Sequence, residues 1–375
     1  MNHRPQQETK HRVAWFITPH GFGHAARAVA IMAAMRELSD IFFHIYTALP
    51  AWFFKESLGE GCTLHTCRTD IGLVQDTPLR EDVQATCDQL DLFLPLDPQW
   101  VDSLAAEIRR HGCDLVVCDI APLGIAVARA AGIPSVLVEN FTWDWIYKGY
   151  ANKNPCLLPH IQTLGQLFAG ADYHIQTQPV CNPVPCNLTT APVSRKIRTT
   201  GREVREKLNP DAAPMILITM GGISSTCSFL DRLRQENRYV FLLPGSADSL
   251  VFDGNLRLFP FRSGFYHPDL IAASDAVVGK VGYSTVAEVY QADVPFGFIP
   301  RSDFRESIAL CQFIRERMNG IEISDHRFVT GDWLDILPEL VSMQGTGASR
   351  ENGAPRCALF LNGLITTGEN DNGRS

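Results

Sequence analysis

Gly279-Lys280-Val281-Gly282-Tyr283-Ser284-Thr285-Val286-Ala287-Glu288 begins at the end of a short apolar run, Ala276 to Gly279, and is followed by another, Phe296 to Ile299. Together they read as a buried strand, a glycine turn, a helix over Thr285 to Ala292 and a second buried strand. That is one β-α-β unit of a parallel sheet. The alternation continues upstream in the strand-like runs Met215 to Met220 and Tyr239 to Leu243. Before them PVCNPVPCNLTTAP, Pro179 to Pro192, is proline-rich and has no period, and it reads as an extended connection between two halves.

The first half repeats the pattern. Val13 to Thr18 reads as a strand ending in a glycine-rich turn. Ala25 to Leu38 is composed of helix-favouring residues, and Phe42 to Thr47 is the next strand. Further on, Asp114 to Cys118 reads as a strand and Leu123 to Ala131 as a helix stopped by Gly132, with Pro134 beyond; Val136 to Glu139 is another strand. The fold class is therefore α/β, with two Rossmann-like halves expected over residues 11–190 and 191–342. In the tail, 343–375, the apolar patch Ala358 to Ile365 reads as a short closing helix.

With 375 residues the chain is long enough for two domains, and 45% hydrophobic with 20% charged residues is a globular composition. A net charge of −8 disfavours nucleic acid as a partner. No apolar run approaches the roughly 20 residues of a membrane-spanning helix, and Met1 to Arg12 is polar with no signal-peptide core. The expectation is a cytoplasmic protein whose eleven cysteines are reduced. Cys62 with Cys67 and Cys181 with Cys186 read as ordinary thiols, and no metal site or cofactor is read from the sequence.

Thr18-Pro19-His20-Gly21-Phe22-Gly23-His24 stands where a strand gives way to a helix. Gly21 and Gly23 permit a tight turn and close approach of a ligand, and free N–H groups at the helix start favour an anionic or oxygen-rich one. His24 is then either a proton acceptor or a residue that closes the turn. Asp119, at the carboxyl end of a buried strand, points to the same edge. A carboxylate there orients a histidine and stabilises its imidazolium, or caps the following helix.

These residues carry a resemblance. His20 to His24 with Arg27, then Asp114 to Asp119, then Asn140-Phe141-Thr142-Trp143-Asp144-Trp145-Ile146-Tyr147, resemble the glycosyltransferase-like N-terminal module of L-arabinokinases. Met220-Gly221-Gly222 and Gly279 to Glu288 resemble the donor-binding half of GT-B enzymes. Those include the peptidoglycan GlcNAc-transferase type, family 28, and the plant UDP-glycosyltransferases. No kinase phosphate loop is present in the sequence, so the resemblance is to the transferase-like module alone.

The resemblance implies a GT-B fold, with a nucleotide-sugar donor, a UDP-sugar in the first place, held between the halves. It makes His24 the base and Asp119 its partner. Gly221, Gly222, Lys280, Gly282, Ser284, Thr285 and Glu288 would hold the donor, Glu288 by accepting from ribose hydroxyls and Lys280 by meeting the diphosphate. After Pro300 the relatives carry Asp-Gln or Gln-Gln; here Arg301-Ser302-Asp303-Phe304-Arg305-Glu306 follows, and Glu306 is the residue expected at the donor sugar. His20, Gly21, Gly23, Asn140 and Trp143 fall on the acceptor side, with Trp145 and Tyr147 as further candidate pocket walls. The implied activity is inverting, metal-independent transfer to a small-molecule or glycan hydroxyl. A non-catalytic nucleotide-sugar-binding regulator, and more distantly an epimerase, are the alternative readings.

Overall fold

The computed structural model describes residues 11–77, 80–209, 213–220, 229–343, 345 and 347–372. Among the described residues, nine strands lie in the first half: β1 (His11–Ile17), β2 (Ile41–Thr47), β3 (Cys62–Thr66), β4 (Val74–Thr77), β5 (Arg80–Asp82), β6 (Leu115–Asp119), β7 (Ser135–Glu139), β8 (Tyr173–Thr177) and β9 (Leu188–Thr190). The second half holds β10 (Met215–Thr219), β11 (Val240–Pro244), β12 (Val251–Asp253), β13 (Leu256–Phe259), β14 (Ala276–Lys280), β15 (Phe296–Ile299) and β16 (Gly320–Glu322).

Fourteen of these strands form two seven-stranded sheets, ordered β3-β2-β1-β6-β7-β8-β9 and β12-β13-β11-β10-β14-β15-β16, and β4 and β5 pair as a separate antiparallel hairpin. The first is parallel throughout, and the second is parallel except for the β12–β13 edge pair. The apolar runs are continuous rather than alternating because each sheet is covered on both faces, with one packed apolar cluster on either side. In each sheet the strand order reverses once near the middle, between β1 and β6 and between β10 and β14. The loops after these strands diverge there and leave a crevice.

Three features differ from the sequence expectations. The proline-rich stretch is not wholly a connection, since Leu188–Thr190 pairs with β8 as the last strand of the first sheet. The apolar tail patch belongs to a longer helix, Ala354–Asn372, whose Cys357, Ala358, Leu361 and Ile365 complete the core against the helix Phe22–Arg36. The end of the described chain thus packs on the first lobe. Cys87 and Cys156, expected as thiols, form a disulfide between the helix Val83–Phe93 and the start of the helix Leu157–Phe168, 69 residues apart in sequence. Contact between those helices creates the pairing, so spacing carried no sign of it.

Candidate active site

The β1/β6 switch point positions the first group of side chains. Gly21 takes φ 75, the left-handed region that glycine enters without penalty, and turns the chain into the helix Phe22–Arg36. No side chain caps that helix start. His24 stands on its first turn, with Nδ1 3.1 Å from Asp119 Oδ1 at the end of β6. Thr18 N donates to the Asp119 carbonyl at 3.2 Å, tying the two strand ends together. The next residue, β-branched Ile120, has φ 52, an uncommon conformation that bends the chain immediately after the carboxylate.

Arg27 lies one helical turn after His24 and carries most of the charge balance. Its Nε donates to Asp119 Oδ2 at 2.8 Å and its Nη2 to Oδ1 at 2.6 Å; Nη1 donates to Asn140 Oδ1 at 2.8 Å. Arg27 and Asp119 are both fully buried. Burial opposes the charge on Asp119, but the guanidinium and its hydrogen bonds win and hold the carboxyl below its usual range.

The second group comes from the β14/β10 switch point. Gly282 starts the helix Tyr283–Ala292, again with no side-chain cap, which leaves the first-turn N–H groups free of one. The two helices meet closely: a Cβ on Gly23 would stand 3.3 Å from Ser284 Oγ, and the Arg27 guanidinium lies 4.7 Å over the Tyr283 ring. One turn into the second helix, Glu288 accepts from Arg195 Nε at 2.7 Å, and its other oxygen is 3.0 Å from His267 Nδ1. Burial works against ionisation of Glu288, yet Arg195 and His267 bring its carboxyl down to about 2. Each oxygen keeps lone-pair capacity for a further donor.

Two neighbouring pockets occupy the cleft and share Gly23, Ser284 and Thr285. One is aromatic, with Phe22, Trp52, Phe261 and Phe265 on its wall and Glu288 and His267 at its side. The other is polar and charged, lined by His20, His24, Lys280, Arg301, Glu306 and Gln75 among others. Burial and the nearby Arg301 hold Lys280 down to about 8, partly offset by Glu306 and Glu81. Burial, with Arg301, His24 and Lys280 adding positive charge, keeps His20 well below the ordinary imidazole value, so it is neutral at pH 7. Burial raises the Glu306 carboxyl, whose Oε1 accepts from Asn140 Nδ2 at 2.8 Å across the cleft. Two donors on the charged wall, Gln75 Nε2 and Arg301 Nε, are buried without a partner among the described residues.

The structure thus brings His20, Gly21, Gly23, His24, Lys280, Gly282, Ser284, Thr285 and Glu306 to the charged pocket. Glu288 joins the aromatic one. Asp119 and Asn140 stand behind them, buried in the Arg27 network. Gly221 and Gly222 lie outside the described residues. Trp143, expected on the acceptor side, is core instead: it is 1% exposed, its Nε1 donates to Asp70 Oδ2 at 3.0 Å, and its ring stands T-shaped to that of His20 at 5.1 Å between centroids. Tyr147 is buried likewise and donates to the Gly72 carbonyl at 2.5 Å.

The reason lies in the local periodicity. Aromatics at alternate positions suggest one face of a strand, but Trp143–Lys148 is a helix, so Trp143 and Tyr147 share its buried face. Trp145 turns aside and carries the Arg305 guanidinium 3.9 Å over its ring. Sequence reasoning missed Arg195, which sits in the connection between the lobes, and His267. It also missed the β4–β5 hairpin, which supplies Gln75 to the pocket and Glu81 as ion-pair partner of Arg301.

Two doubly covered parallel sheets, joined so that their switch points face one cleft, are the architecture of the GT-B glycosyltransferases. The chain has that fold. It superposes on the calicheamicin glycosyltransferase CalG4 with a TM-score of 0.60 at 14% identity, covering 97% of this chain and 98% of the other. A UDP-glucosyltransferase from Polygonum tinctorium capable of glucosylating indoxyl gives 0.60 at 13%, covering 95% and 98%. In sequence the chain is similar to the L-arabinokinase of Arabidopsis thaliana, 27% identical over 94% of this chain and 34% of that protein. It therefore spans about a third of that relative's length. No family model matches. Among the described residues no helix is long and apolar enough to cross a membrane.

Proposed function

We propose that the chain is an inverting glycosyltransferase that takes a nucleotide-activated sugar, UDP-linked in the first instance, and needs no divalent ion for transfer. The observation that carries this reading is the junction of the two pockets at Ser284 and Thr285, on a helix start without a side-chain cap. A nucleoside fits the aromatic pocket with its ribose hydroxyls donating to Glu288. The diphosphate then meets the helix N–H groups and the Lys280 ammonium, and the sugar enters the charged pocket beside Glu306, Gln75 and Arg301. The buried donors on Gln75 and Arg301 suit an oxygen-rich ligand.

In the reaction His24 takes the proton of an acceptor hydroxyl as its oxygen attacks the anomeric carbon from the face opposite the diphosphate. The bond from that carbon to the diphosphate oxygen breaks, and the departing charge is balanced by Lys280 and the helix start. Inversion follows from the single displacement. A thermal-shift panel of UDP-, GDP-, TDP- and ADP-sugars identifies the donor. Release of nucleoside diphosphate in the presence of an acceptor library and EDTA, with the product anomer read by NMR, tests the transfer. The proposal fails if no nucleotide sugar stabilises the chain.

One observation favours a second reading, a nucleotide-sugar-binding regulator. Asp119 is already neutralised by Arg27, which weakens its support for a protonated His24. That reading predicts ligand-induced stabilisation with neither transfer nor hydrolysis.

Lys280 supplies a pH test of donor binding. With its value near 8 in the free chain, it is a cation at pH 7 and loses its proton as pH rises through that range. UDP-glucose affinity measured by calorimetry is therefore expected to be flat below about pH 7 and to fall above about pH 8. Lys280→Met should bind weakly at every pH. An affinity in the parent chain that ignores pH across that range removes Lys280 from the diphosphate.

A further inference from the structure

A cluster of three histidines lies at the outer edge of the first sheet, and none of them lines either cleft pocket. His44 comes from β2, His65 from the edge strand β3, and His111 from the residue that closes the helix Pro98–Arg110. Each offers a ring nitrogen, and the three nitrogens lie within 4.8 Å of one another. His44 Nδ1 and His65 Nε2 are 3.2 Å apart. Two imidazoles on one tetrahedral zinc, each about 2.0–2.1 Å from the ion, hold their nitrogens about 3.4 Å apart.

Glu107 organises the cluster. Its Oε1 accepts from Tyr46 Oη at 2.9 Å and lies 3.0 Å from His65 Nδ1. An ionised carboxylate only accepts, so His65 carries its proton on Nδ1 and turns a bare Nε2 toward His44. This is the carboxylate–histidine arrangement that orients metal ligands. His111 Nε2, 3.5 Å from the same oxygen, is buried with no hydrogen-bond partner among the described residues. Arg12 Nη1 donates to the His111 carbonyl at 2.9 Å, which brings a cation to the group alongside the Glu107 carboxylate. His65 and His111 remain partly open to solvent, which gives an ion a way in.

We propose that His44, His65 and His111 form a binding site for a divalent transition-metal ion, zinc foremost, with Glu107 orienting His65 and a fourth position open to water. Three imidazoles with one open position suit zinc, and nickel and copper follow the same nitrogen chemistry. The ion would tie the edge strand β3 to β2 and to the end of the helix that covers them. The inference does not depend on the transfer reaction.

The test uses the full chain stripped of metal by a chelator and titrated with Co2+. One equivalent should bind with the visible d–d absorption of a four-coordinate site, Zn2+ should displace it, and Zn2+ should raise the melting temperature. His65→Gln and His111→Gln should each remove the absorption, and Glu107→Gln should weaken binding by about 10- to 100-fold. His174→Gln, outside the cluster, should bind as the parent does. Circular dichroism of each metal-free variant establishes that it is folded. Absence of stoichiometric Co2+ uptake by the folded parent, or undiminished uptake by folded His65→Gln, overturns the site.

Discussion

Replacing His24 with alanine is expected to lower sugar transfer by roughly 10²- to 10⁴-fold, the usual contribution of a positioned general base. Donor binding should stay close to that of the parent. The geometry explains the split. Asp119 is held ionised by Arg27 and accepts only, while Arg27 Nη2, also 3.3 Å from His24 Nδ1, already donates to Asp119 Oδ1 at 2.6 Å; the shorter 3.1 Å contact with the carboxylate therefore favours the proton on Nδ1 and leaves Nε2 as the base. The ring stands T-shaped to that of Phe141 at 5.8 Å between centroids, so its orientation is fixed by packing as well as by hydrogen bonding. The groups assigned to the donor, Glu288, Ser284, Thr285 and Lys280, belong to the other lobe, and none bonds to His24. Steady-state turnover beside calorimetric binding of a UDP-sugar reads the two effects separately. Equal turnover in the two proteins would remove His24 from the chemistry.

How much of this was legible in the sequence depended on whether a residue's neighbours along the chain carry its meaning. The turn and helix from Lys280 to Glu288 could be read because a buried strand, a glycine and a change of hydrophobic period follow one another within a dozen residues. Asp119 could be read for the same reason, as the polar end of an apolar run. The Arg27–Asp119 pair could not, although both residues were visible, because it depends on β1 and β6 lying side by side. Arg195 gave no local signal: it stands in an irregular segment and acquires its role only when the lobes meet over Glu288. The β4–β5 hairpin is short and polar, and its contribution to the pocket is a property of where it folds back. The three histidines at the sheet edge are brought together by strand pairing and one helix end, so their spacing matches no metal-binding pattern.

Asp119→Asn is expected to destabilise the fold by about 3–5 kcal/mol, the usual result of removing one member of a buried ion pair. That is a large part of the roughly 5–15 kcal/mol that a native domain holds in reserve. Arg27 would keep its bonds to Asn140 at 2.8 Å and Thr177 at 3.3 Å and its place over the Tyr283 ring. It would lose the charge that offsets its burial, and no solvent reaches it. Joint replacement, Arg27→Met with Asp119→Leu, should recover much of the loss, because neither partner is then left charged in an apolar site.

The effect has a defined pH window. The folded carboxyl sits below its unfolded value of about 3.9, so its contribution is complete above that value and disappears as pH falls through the lower, folded one. Between pH 6 and 8 the difference from the parent should therefore be constant, and it should shrink only in acid. Denaturant titration of the three proteins measures it. If the asparagine variant unfolds at the parent's midpoint, the pair is not the interior strut its burial implies. If it is destabilised as expected, any loss of transfer on replacing Asp119 mixes folding with chemistry, and His24 alone isolates the proton transfer.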